Sequence, residues 1–113
     1  MYEESDRARL DYILSMIRDI EEIVRRYDST NAALNDTVGR HALLMCLMQI
    51  GEKLYQLRNE SITSRLPVYG AYSVRNIIAH DYGGVNNGII DNIVRDNIPE
   101  LKKSIEGILD EIS

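Results

Sequence analysis

Leu10, Ile13, Leu14, Ile17, Ile20, Val24 and Tyr27 recur at steps of three and four residues. Apolar residues at that spacing share one face of a 3.6-residue helix, and that face has to be buried. Asp6, Arg7, Asp11, Arg18, Asp19, Glu22 and Arg25 fall off the stripe, as a solvated face requires. A first helix is expected from about Ser5 to Tyr27. Such a helix needs partners. The next apolar segment, "ALLMCLMQIGEKLYQL", is apolar on nearly every side, the pattern of a helix central to a bundle. It is expected from about Thr37 to Leu57, behind the N-cap candidates Asn35, Asp36 and Thr37 that close the polar stretch "DSTNAALND". Gly51 lowers helix propensity there. Its expected return is close approach of a neighbouring helix, beside a partly buried Glu52.

"RNESITSRLP" reads as a linker, and Pro67 suits the first turn of a third helix over Val68 to His80. Gly83 and Gly84 are the expected stop. Ile89, Ile90, Ile93, Ile98, Leu101, Ile105, Ile108 and Leu109 mark a last helical region, which Pro99 either kinks or divides. No stretch alternates with period two, and there is no repeat or low-complexity segment. The expectation is an all-α, up-and-down bundle of four or five helices, one domain over residues 1–113.

The formal charge of −5 argues against broad, non-specific nucleic-acid binding, which needs a basic face. The acid is unevenly placed, however. Between Lys53 and His80 stand Lys53, Arg58, Arg65 and Arg75 against Glu60, leaving room for a small anionic ligand. Apolar runs are too short for a membrane span. The acidic start "MYEESDRARLDY" has no signal-peptide layout, so a cytoplasmic protein is expected. Cys46, the one cysteine, sits in an apolar run and reads as a small buried hydrophobe.

The stretch "RNIIAHDYGG", residues 75–84, carries the candidate chemistry. On a wheel of about 100° per residue, Val74, Ile77 and Ile78 cluster as a core face. Tyr72, Arg75, Asn76, Ala79 and His80 fall on the opposite side. Asn76 and His80 are neighbours at i,i+4, with Arg75 flanking them. By itself an Arg and a His near a helix C-terminus is no more than the helix dipole favours. Asn76 and Tyr82 at fixed offsets within a small helical chain add the information.

"VRNIIAHDY" resembles the R-N-x-x-x-H-x-Y signature of the HepT-like branch of the HEPN superfamily, small all-helical ribonuclease toxins. The resemblance covers nearly the whole chain. "DRARLDYILSMIRDIEEI" is similar to the family's first helix, "QIGEKL" to its I-G-E motif, and "NIPELKKSIEGIL" to its closing segment. Val68-Tyr69 stands where many members have a Trp-basic pair, and Ser73 replaces a usual glycine. Contacts made by the start of the third helix therefore depart from the family pattern.

The resemblance implies a metal-independent endoribonuclease, without cofactor, that dimerises through the motif helices. Cleavage of RNA by its own 2′-hydroxyl needs a base, an acid for the leaving 5′-oxygen and a cation for the phosphorane. A two-fold homodimer would bring two copies of His80 and of Arg75 to one cleft, so base and acid can come from different subunits. Arg75 would grip the phosphoryl oxygens, and Asn76 would orient His80 or the ribose. DNA lacks the attacking hydroxyl and should survive. Tyr82 corresponds to a modification site, to which a minimal nucleotidyltransferase antitoxin attaches AMP in the family. An anion there would take the substrate phosphate's place.

His41 reads as a surface residue near a helix start. Scattered carboxylates and one His per motif give no metal-ligand spacing, and no Gly-rich phosphate loop precedes a helix. The competing reading is a non-catalytic helical adaptor that binds a nucleotide or a partner; net acidity favours it, and the intact Arg75 and His80 oppose it.

Overall fold

The computed structural model describes residues 5–112. Residues 1–4 of the acidic start, and residue 113 of the expected domain, lie outside them. Every described element is helical. Four long helices, α1 (Asp6–Tyr27), α3 (Thr37–Tyr55), α5 (Val68–His80) and α7 (Ile98–Ile112), are joined by the short helices α2 (Thr30–Leu34), α4 (Glu60–Thr63) and α6 (Asn87–Asn92). The all-α bundle expected from the apolar periodicities is the fold observed.

Helix α1 starts at Ser5, whose hydroxyl accepts from the Ala8 N–H, and ends at Asp28, in the left-handed region at φ 70°. Its stripe, Leu10, Ile13, Ile17 and Ile20, is essentially fully buried. Asp36 caps α3, and the Tyr27 hydroxyl donates to the same carboxylate at 2.7 Å. Helix α3 is the central element. It packs on both α1 and α5, and Leu43, Leu44, Leu47, Ile50 and Leu54 are buried along it.

Two segments read as loop contain helix. Ser29 caps α2 and Asn59 caps α4, so each polar stretch supplies the cap of its own short helix, and Ala33, Leu34 and Ile62 anchor these turns in the core. The last region stays helical throughout, with no break at Pro99. A π-helical turn, Ile93–Asn97, joins α6 to α7, with the Ile98 N–H bonded to Ile93 O. Pro99 follows at the second position of α7, where the widened turn meets its missing donor.

The wheel for α5 needs correction. Ile78 is fully buried, but Ile77 is 59% exposed and leaves the expected core face. The buried direction is rotated toward Ala71 and Arg75. Gly51 is the cause: a Cβ there would meet Ala71 O at 2.7 Å and Arg75 Cβ at 2.8 Å. The absent side chain lets α5 settle on α3 along its Ala71–Arg75 edge. The expected return for Gly51 is thus observed.

Candidate functional site

Helix α5 ends at His80, before the glycines. Asp81 leaves the helical region (φ −143°, ψ 68°), and its carboxylate accepts from the Gly84 N–H at 3.2 Å across the 3₁₀ turn Tyr82–Gly84. No glycine among the described residues adopts positive φ, so Asp81 ends the helix, not a left-handed glycine. Arg40 on α3 ties down the segment after this turn, donating to Asn87 Oδ1 and Val85 O, each at 3.1 Å.

The five residues expected on one open face divide into two sets. Asn76, Ala79 and His80 stand on the surface side of α5, with Asn76 and His80 exposed. Arg75 and Tyr72 lean onto α3 and are only half-exposed. Arg75 Nη1 donates to Asn76 Oδ1 at 3.0 Å, which couples the sets. Its Nε lies 3.1 Å from Glu52 Oε2. That oxygen is buried and has no aligned hydrogen-bond donor, so the contact is an ion pair and not a hydrogen bond. The guanidinium is therefore pinned at its inner nitrogen while its outer edge faces the side of Asn76. Tyr72 packs beside it, with the Arg75 guanidinium carbon 5.6 Å from the ring centroid.

Tyr82 lies at the other end of the α3–α5 seam. Its hydroxyl is 2.8 Å from His41 Nδ1, and the two rings stack at 5.4 Å. His41 is exposed, as expected of a surface residue, yet it is engaged with the motif tyrosine. Sequence reasoning did not join them, because 41 positions separate them and neither carries a local signal for the other.

Arg75, Asn76 and His80 share one helix, with Asn76 and His80 open to solvent. A half-open hollow of about 230 Å³ is lined mostly by apolar side chains including Leu47, Ile50, Val74 and Leu101, and by neither Arg75, Asn76, His80 nor Tyr82. Cys46 is buried, which pushes its thiol up to about 11 with a contribution from Asp19, so it is no nucleophile. Among the described residues, no three His, Cys, Asp or Glu side chains group as metal ligands. No described helix is long and apolar enough to cross a membrane.

The family model for HepT-like ribonucleases matches residues 13–108, most of the chain and the whole of this site. The chain belongs to the HepT-like ribonuclease family. Among its relatives are two proteins of Methanocaldococcus jannaschii. "Putative RNase MJ1380" is 28% identical over 102 residues, covering 88% of this chain and 93% of the relative. "Putative RNase MJ0127" is 32% identical over 109 residues, covering 94% and 88%. No solved structure gives a significant match.

Proposed function

We propose that this HepT-like chain is a metal-independent endoribonuclease toxin that cleaves RNA through the 2′-hydroxyl, at a site completed by a second copy of itself. The observation that carries the reading is the single helix presenting His80 and Asn76 to solvent beside an Arg75 already aimed by Glu52. One such face has a base but no separate acid. Two faces related by a two-fold axis have both, with two guanidinium groups for the charge on the phosphorane. Ile77 is exposed between these residues and gives the face apolar area to bury against its copy.

Arg75 binds the phosphoryl oxygens, His80 of one subunit takes the 2′-hydroxyl proton, and the partner's imidazolium protonates the 5′-oxygen. Asn76 holds the guanidinium or the ribose. Tyr82 accepts AMP from a minimal nucleotidyltransferase antitoxin, which silences the site. The cell compartment that fits an RNA target is the cytoplasm.

The test is cleavage of single-stranded RNA by purified protein in EDTA, with the ends identified. We expect 2′,3′-cyclic phosphate and 5′-hydroxyl products, and loss of cleavage in His80→Ala and Arg75→Ala while both remain folded. Full activity in His80→Ala, or a strict metal requirement, overturns the mechanism. Sedimentation should give a dimer mass; an active monomer overturns the composite site.

A further inference from the structure

Tyr55 closes α3 and Tyr72 lies in the second turn of α5; their rings stack nearly parallel, 15° apart, at a centroid distance of 3.9 Å. Arg75 packs against the same Tyr72 ring. Tyr72 therefore touches both the Arg75 guanidinium and Tyr55, whose ring is 51% exposed. Core packing does not account for the stack. Helices α3 and α5 already meet closely at Gly51 and Ala71, and about half of the Tyr55 ring is left facing water.

Charge gives the stack a use. A chain of net charge −5 gains from counterion release only through the few cations near the site, such as Arg75. Base–aromatic stacking is a second source of affinity for single strands. We propose that Tyr55, backed by Tyr72, is a stacking platform for an unpaired nucleobase next to the phosphate gripped by Arg75. This rests on the ribonuclease reading for its substrate class, single-stranded RNA. A base still stacked in a duplex could not reach it.

The test is binding of fluorescein-labelled oligoadenylate and oligouridylate 12-mers to the His80→Ala protein, with Tyr55→Ala and Tyr55→Phe added. Tyr55→Ala should weaken oligoadenylate binding about 5- to 150-fold, the range of base–aromatic stacking. It should also collapse the preference for adenine, the better-stacking base. Tyr55→Phe should keep both. If Tyr55→Ala is poorly folded, Tyr55→Leu keeps apolar bulk without a π-face and should show the same loss. Equal binding by Tyr55→Ala or Tyr55→Leu overturns the platform. So does a change in oligomeric mass in Tyr55→Ala, which would make the stack an interface between copies. If wild type fails to cleave RNA but binding stays Tyr55-dependent, the ribonuclease reading falls and the platform stands. If wild type cleaves while binding ignores Tyr55, the reverse holds.

Discussion

The hydroxyl of Tyr82 sits 2.8 Å from Nδ1 of His41, so the motif tyrosine is latched onto the start of α3. Stack and hydrogen bond act on one pair of rings, and the pair should be energetically coupled. His41→Ala and Tyr82→Phe should each cost about 0.5–1.5 kcal/mol, the net worth of an ordinary hydrogen bond. Urea unfolding of the double variant should show a loss smaller than the sum by about 0.5 kcal/mol or more. Strict additivity would show that the contact carries no energy.

The latch also shows where reading from sequence stops. The start of α5 was legible because Pro67 is a local signal; its end came at His80 as expected, but through Asp81 and not through the expected glycines. The centrality of α3 was legible too, since apolar residues on all sides leave no other place for it. What was not legible is rotation. Ile77 stands on the surface and Arg75 leans half-buried onto α3, where α5 approaches Gly51, a residue far from both in the chain. Asn76 and His80 are exposed all the same, whereas Arg75 is turned onto Glu52. The roles of Glu52 and Tyr72 depend on that rotation, and only the packed seam reveals their neighbours.

Gly51 should therefore be intolerant of even the smallest side chain. Both near atoms belong to α5 close to its backbone, so Gly51→Ala must push the helix away and not a flexible tip. Overpacking of this kind costs about 1–3 kcal/mol. The unfolding midpoint should fall accordingly, and RNA cleavage should fall with it, because the displaced helix carries Arg75 and His80. Wild-type stability in Gly51→Ala would refute the close approach.

Glu52→Gln keeps the shape of the side chain but removes the charge that holds Arg75 Nε. The guanidinium then loses its aim while the protein loses an anion near the substrate. kcat should drop about tenfold, one charge-assisted interaction, with KM unchanged or lower. An unchanged kcat would show that Glu52 does not position Arg75.

Asp6 predicts an acid limit. Burial works against its charge, but the backbone N–H groups of Asn59 and Arg58 and the Arg9 side chain outweigh it, holding the carboxyl below its ordinary 3.8. A depressed folded value means stability that is present above about pH 4 and lost as pH falls through the folded value. Asp6→Ala should cost about 1–2 kcal/mol at pH 7, since it removes hydrogen bonds made to a charged acceptor. The gap to wild type should narrow as the pH is lowered through about 4 and below. A constant gap at all pH values would place the loss in packing.

The proposed silencing step meets the latch directly. If Tyr82 is the AMP acceptor, its hydroxyl attacks the α-phosphorus of ATP from a resting position on His41, which either holds it back or takes its proton. The oxygen–phosphorus bond forms, pyrophosphate departs, and the phenolic proton is lost. Tyr82→Phe keeps the ring but removes the accepting oxygen, so it should fold, gain no mass and remain toxic beside a minimal nucleotidyltransferase. Wild type should gain AMP units by intact mass and lose toxicity. His41→Ala removes the hydroxyl's resting partner without touching the acceptor, and its AMP gain should be faster than wild type's. A slower gain would make His41 a helper of the transfer instead of a latch. Full neutralisation of Tyr82→Phe would mean that the antitoxin inhibits by binding alone, with the tyrosine serving only to hold the end of α5 against α3.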